Sequence, residues 1–332
     1  MKKIALVFAL CTCISCARDG YVIDGRIDGL EGEISLVDAF DHVISSTSVQ
    51  KGRFSFEGRV DTPQLMYVNN GLGQATPIDA PVLLENARIK VRGNVKDYDM
   101  TVSGTLPNNN MTEYIRRKKQ IDEMDTDSYL ALVRETFLTN SGNLLGAMMI
   151  SNMAPYVESG ELLGYCEMLP EELRASKMVS HYENVARAIE STSPGKPFAD
   201  FEMDNQDGTP VTLSSAVAAN KATVLVFWAS WARLATEYLS GYAAACREHE
   251  KEGASMFCVS LDYNKEQWAK ACDATGIFGI NLCDTVEKTQ AAIALYGFDG
   301  LPRAVVIGSD GTILARCRTG AEVKAALDGY FD

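Results

Sequence analysis

Residues 224–238 read VLVFWASWARLATEY, and this stretch decides the fold. Val224, Leu225, Val226 and Phe227 form a continuous apolar run bounded by polar sequence, the pattern of a strand buried on both faces of a sheet. Trp228 and Trp231 follow, then a short turn and the start of a helix. A buried strand that turns directly into a helix is half of an α/β unit, so the flanking sequence is expected to supply further strands and helices in alternation.

It does so from Pro197 onward, where the signals run strand, strand, helix, strand, helix, strand, strand, helix. Residues 197–201 (PFADF) lead through Asp207-Gly208 to residues 211–214 (VTLS). Residues 221–227 make the first central strand, and residues 260–262 (SLD) before Trp268 make the next strand and helix. Residues 295–297 (LYG), 300–302 (GLP), 305–307 (VVI) and 310–313 (DGTI) close the series. The pattern predicts a central sheet covered by helices.

These segments, in this order, resemble the AhpC/TSA and TlpA/ResA-like thioredoxin families over residues 197–332, with FWASW and GLP the most specific elements. In that family F-W-A-S-W precedes C-x-x-C. The resemblance implies a dithiol mechanism: a thiolate at a helix N-terminus attacks a disulfide and a second cysteine resolves the mixed disulfide. Here Ala232 and Ala235 occupy the two cysteine positions, and Arg233-Leu234 replaces the usual Gly-Pro between them. Alanine has no nucleophile, so no catalytic residue is assigned, and neither a cofactor nor a metal is expected.

Six cysteines lie beyond the N-terminus, at 166, 246, 258, 272, 283 and 317, and no pair has C-x-x-C spacing. They read as small buried hydrophobes, Cys258 most clearly; a disulfide among Cys246, Cys272 and Cys283 stays open. None is placed to replace the missing thiolate. His181 and His249 are isolated on helical sequence and read as surface residues.

The resemblance leaves the binding half of such a site. Pro302 stands where the family has a cis proline, and the residue before it, here Leu301, offers main-chain groups to an extended peptide. Trp228, Trp231, Arg233, Leu234, Leu301, Pro302 and Arg303 are therefore the candidate groove. The competing reading is that the tryptophans pack the core and the proline is scaffolding.

Working back to the start, residues 1–16 (MKKIALVFALCTCISC) carry Lys2 and Lys3, then an apolar stretch too short to span a bilayer. This reads as a signal peptide over residues 1–15. Ser15-Cys16 resembles a bacterial lipobox, with Cys13 where such a motif has Leu, and implies lipidation at Cys16; the alternative is a plain signal peptide cut nearby. The expected location is the bacterial cell envelope, at the outer membrane ahead of the inner, facing the periplasm or the surface. No later apolar run is long enough to span a membrane.

After a short tether (16–20), residues 21–106 hold short strand-like runs separated by Gly29, Gly32, Gly52, Gly58, Pro63 and Gly93, as in a β-sandwich or small barrel. Residues 52–58 (GRFSFEG), 81–86 (PVLLEN) and 102–104 (VSG) resemble a β-rich domain of unknown function that precedes thioredoxin-like domains in Bacteroidota lipoproteins. Its lone His42 reads as a surface strand residue. Asn108, Asn109 and Asn110 mark a turn, and residues 107–190 then read as a helical connector, with Asp127 or Ser128 as an N-cap and Gly142 near a helix stop. Residues 191–197 (STSPGKP) are a linker by composition. The thioredoxin-like domain takes 191–332.

The net charge of −13 over 332 residues argues against a nucleic-acid partner. The one dense basic cluster, residues 116–119, reads as a solvated helix face. The expected fold class is thus multidomain: all-β, then a helical connector, then an α/β thioredoxin-like fold. The leading functional expectation is non-catalytic binding or scaffolding of a protein or peptide partner. Its rival is a thiol-disulfide oxidoreductase or peroxidase using a cysteine outside the motif. A third reading gives the last domain only a stabilising role.

Overall fold

The computed structural model describes residues 20–71, 77–96, 99–205, 207–298 and 300–332. The expected signal peptide and Cys16 lie outside the described residues. Contacts divide the described residues into two compact units, one up to residue 153 with 169–173 and the other 154–168 with 174–332.

The first unit opens with eight strands on the runs read from the sequence: β1 (Tyr21–Asp28), β2 (Glu33–Val37), β3 (Val43–Ser48), β4 (Arg53–Gly58), β5 (Gln64–Asn69), β6 (Asp79–Leu84), β7 (Arg88–Asn94) and β8 (Asp99–Ser103). They form two four-stranded sheets, ordered β4-β1-β7-β8 and β3-β2-β5-β6. Alternate side chains point inward from both: Ile23, Ile27, Phe54, Phe56, Ile89 and Val91 from the first sheet meet Ile34, Leu36, Met66, Val68, Val82 and Leu84 from the second in one buried core. Two sheets sharing a core make a sandwich rather than a barrel. Gly25 is fixed by this packing, since a Cβ there would stand 2.1 Å from the Phe54 ring. His42 lies just before β3, exposed, with Nδ1 3.0 Å from the Asp38 carboxylate.

Helices α1 (Leu106–Lys118), α2 (Thr126–Asn140) and α3 (Leu144–Met153) follow in this unit. The asparagine run is helix, not turn, because each side chain has a specific partner there. Asn108 is fully buried; its Oδ1 accepts from the Leu83 N–H at 3.0 Å and its Nδ2 donates to the Leu83 carbonyl at 2.8 Å, so it pairs with β6 as a neighbouring strand would. Asn109 accepts from the Gly104 N–H, and Asn110 donates to Asn140 on α2. Helix α2 also starts earlier than expected, because Asp125 accepts from the Ser128 N–H and caps it. Within the basic cluster, Arg116 pairs with Glu113 and Arg117 with Glu135.

The second unit begins with α4 (Ser159–Glu167); α5 (Glu171–Arg174) gives residues 171–173 to the first unit and Arg174 to the second, and α6 (Lys177–Ser191) follows in the second. Arg174 and Arg187 both donate to the buried Glu183 carboxylate, whose pKa is held down to about 2 by these hydrogen bonds, Arg174 first. The helical region of the sequence therefore contributes to both compact units. Residues 195–198 are not a free linker: Gly195 N–H donates to the Ile313 carbonyl, Ile313 N–H to the Lys196 carbonyl, and Phe198 N–H to the Gly311 carbonyl. Composition signals a break; edge hydrogen bonding makes it part of the fold.

Next come β9 (Glu202–Asp204), β10 (Pro210–Thr212), α7 (Leu213–Ala219), β11 (Ala222–Trp228), α8 (Ala235–Glu248), β12 (Ala254–Ser260), α9 (Lys265–Thr275), β13 (Ile280–Leu282), α10 (Val286–Tyr296), β14 (Arg303–Gly308), β15 (Ile313–Cys317) and α11 (Gly320–Phe331). The central sheet runs β13-β12-β11-β14-β15, with β11, β12 and β13 parallel, β14 antiparallel to β11, and β15 antiparallel to β14. Every residue of β11 is buried. Val224, Val226 and Trp228 pack against α8 and α11 through Leu239, Tyr242, Val323 and Leu327, while Leu225 and Phe227 face Leu213, Ala292 and Tyr296 of α7 and α10. This is the helix-covered sheet of a thioredoxin-like fold.

Candidate functional site

The end of β11 and the turn after it are held by one buried carboxylate. Trp228 still pairs as strand, its carbonyl accepting from the Leu261 N–H at 2.9 Å. The chain then turns, and Asp262, only 3% exposed, anchors it. Its Oδ2 accepts from the Ser230 N–H at 2.9 Å and from the Ser260 hydroxyl at 2.6 Å, and its Oδ1 accepts from the Ser230 hydroxyl at 2.6 Å. Trp231 is thereby carried to the surface, 54% exposed and stacked on Tyr263 with ring planes 5° apart.

Helix α8 begins at Ala235, one turn later than Ala232. Leu234 precedes it in the left-handed region at φ 60°, and the Ala235 N–H donates to the Ala232 carbonyl at 3.1 Å. Ala232 therefore sits in a tight turn rather than at the helix N-terminus. Ala235 is buried against the core.

Beside this turn lies a groove with a volume of about 680 Å³. Trp231, Ala232 and Arg233 form one side, and Gly300 and Leu301 stand on the loop before the cis Leu301–Pro302 bond. Gln290, Ile293 and Ala294 of α10 supply a further wall at helical spacing, and His181, Asn184 and Val185 of α6 supply another. Helix α6 can approach because Gly297 follows α10 at φ +63°, where a Cβ would stand 2.5 Å from the Val185 carbonyl oxygen. Among the described residues, the main-chain N–H and C=O of Leu301 make no hydrogen bond.

Of the seven candidate residues, Trp231, Arg233 and Leu301 line this groove and the others do not. Trp228 is 1% exposed and belongs to the core, so its assignment to a binding wall is corrected. Pro302 is buried, and Leu234 is exposed but outside the groove lining. Arg303 donates to the Pro302 carbonyl at 2.9 Å and lines a separate cavity. Sequence places residues 181–185 in the helical connector, so the wall that α6 supplies comes from the tertiary structure. The spacing of His181, Asn184 and Val185 on one helix face was the available signal.

The six described cysteines are all free thiols, and Cys246, Cys272 and Cys283 form no disulfide. Burial pushes the thiols of Cys246, Cys272 and Cys317 up to about 12 and that of Cys166 to about 11, and it raises Cys258 and Cys283 as well. Such thiols are poor nucleophiles at neutral pH. His249 is not isolated: Nδ1 lies 2.7 Å from Glu252 and Nε2 2.8 Å from Asp328, with the ring stacked on Phe331. His181 is exposed on α6 at the groove. Among the described residues, no group of three or more His, Cys, Asp or Glu could hold a metal ion, and no helix is long and apolar enough to cross a membrane.

Residues 194–316 match the AhpC/TSA family. Residues 21–111 match a second family, described as a domain of unknown function (DUF4369). Among solved structures, the chain is similar to the thioredoxin domain of a thiol-disulfide oxidoreductase from Bacteroides vulgatus, at 16% identity and TM-score 0.39, covering 42% of this chain and 99% of that one. It is also similar to a thiol:disulfide interchange protein from Bacteroides sp., at 16% identity and TM-score 0.39, covering 42% and 91%. A thiol-disulfide oxidoreductase from Bacteroides fragilis matches at 25% identity and TM-score 0.37, covering 40% and 98%. No curated protein matches the chain.

Proposed function

We propose that this chain is a lipid-anchored protein of the bacterial cell envelope, tethered through Cys16, whose thioredoxin-like domain has lost dithiol chemistry and binds an extended peptide segment of a protein partner. The observation that carries this reading is the pairing of alanine at 232 and 235 with a formed groove beside them. The main-chain groups of Leu301, which make no hydrogen bond among the described residues, supply a place for strand addition, and Trp231 supplies an exposed aromatic contact. The high thiol pKa values argue against a redox centre moved to another cysteine.

The test is fluorescence anisotropy of the full chain against labelled decapeptides selected from a random extended library, each compared with a backbone N-methylated copy. Binding that is lost on N-methylation and weakened in Trp231→Ala and Leu301→Asp supports the reading. Equal binding by wild type and both variants sinks the groove. Insulin-disulfide reduction or peroxide consumption abolished by replacing one cysteine would instead establish the enzymatic alternative.

A further inference from the structure

A second cavity of about 400 Å³ in the same unit has three arginines in its lining, Arg303, Arg316 and Arg318. Arg316 and Arg318 stand two residues apart at the end of β15, and Arg303 precedes Ala304, which pairs with Cys317, so two adjacent strands deliver all three to one place. We propose that this cavity is an oxyanion-binding site, taking a phosphate or carboxylate ligand with at least two negative charges.

The first support is charge. The chain carries a net −13, and Arg116, Arg117, Arg174 and Arg187 all have carboxylate partners. Among the described residues none of the three cavity arginines has one, although Glu158 also lines the cavity. Like charges gathered on neighbouring strands repel unless a counter-charge joins them. The second is preorganisation. Arg316 Nη1 donates to Thr192 Oγ1 at 2.6 Å, Nη2 donates to the Tyr296 carbonyl at 2.6 Å, and the guanidinium lies 4.4 Å over the Phe298 ring. Neutral acceptors thus fix the fork while leaving its charge uncompensated. Burial, with Arg303 adding its repulsion, brings the Arg316 pKa down to about 10, and the negative charge of an incoming anion would offset both effects. The volume suits a small ligand. Gly297 and Phe298 border both this cavity and the peptide groove, but the anion site stands without any peptide.

The experiment is isothermal titration of the full chain with inorganic phosphate and, separately, citrate, against sodium chloride at equal ionic strength. The variants are Arg303→Gln and Arg318→Gln, with Arg59→Gln, in the other unit, as control. The Arg318 guanidinium makes no hydrogen bond among the described residues, so its removal leaves the fold's own contacts in place. Saturable binding of either anion is expected, weakened about tenfold in each cavity variant and unchanged in the control. Binding of phosphate alone or citrate alone supports the site and identifies which oxyanion it takes. Failure of both anions to bind more tightly than chloride, or wild-type affinity in both cavity variants, overturns it.

Discussion

Replacing Asp262 separates hydrogen-bond geometry from charge at the turn that presents Trp231. Asp262→Ala removes three bonds to an ionised acceptor, from the Ser230 N–H, the Ser230 hydroxyl and the Ser260 hydroxyl. Bonds to charged groups contribute about 1.5–3 kcal/mol each, and the Ser230 N–H would lose its partner. Water entering the vacated space restores part of this, so the net cost is about 3–5 kcal/mol. Asp262→Asn is different. Its carbonyl oxygen can take the Oδ2 position and keep two donors, while its NH₂ meets Ser230 Oγ, a hydroxyl that can turn and accept. Only the charge assistance is lost, about 1–2 kcal/mol. Urea unfolding followed by tryptophan fluorescence measures both, because the chain's 3 tryptophans, Trp228, Trp231 and Trp268, all lie in the second unit. Equal costs for Asn and Ala, or costs below about 1 kcal/mol for both, would refute this account of the turn.

Three further outcomes are expected. Gly297→Ala forces a left-handed alanine and a backbone clash 2.5 Å from the Val185 carbonyl oxygen, costing about 2–4 kcal/mol in conformation and overpacking; hydrogen exchange should quicken across α6, and unchanged protection there would contradict the close approach. Alkylation of native Cys246, Cys272 and Cys317 at pH 8 should run about a thousandfold slower than for a free cysteine, given thiols pushed up to about 12; mass spectrometry would reveal any one reacting at the free rate. His249 has its pKa raised above the usual 6.5 by its hydrogen bond to Glu252 and then Asp328. A raised histidine contributes stability that is fully present below the unfolded value and lost as pH climbs through the folded one. The gap in urea midpoint between wild type and His249→Gln should therefore be wide at pH 6 and narrow at pH 9, and a pH-independent gap would show the pairing to be inert.

The architecture was readable wherever burial imposes a strict period. Residues 53–57 alternate because one face meets the sandwich core, and residues 224–227 are wholly apolar because both faces of β11 are covered. Local pattern is misleading where a side chain's partner lies far along the chain. Three consecutive asparagines signal a turn locally, yet Asn108 reaches Leu83, 25 residues away, and its buried bonds hold it in a helix. Composition likewise marks residues 191–197 as a break, while the edge pairing of Lys196 with Ile313 ties them down.

The same division runs through the site. Sequence alone established that alanine stands at 232 and 235, that no two of the six cysteines from 166 onward have C-x-x-C spacing, and that a buried strand leads into an aromatic turn, because these are properties of residue identity and local period. Tertiary structure decided that Trp228 packs inward while Trp231 faces out, that α6 walls the groove, and that three arginines share one cavity. Those facts depend on which distant segments meet, and that is set by packing two helical faces and two strand ends against one sheet, information that no single stretch of chain carries.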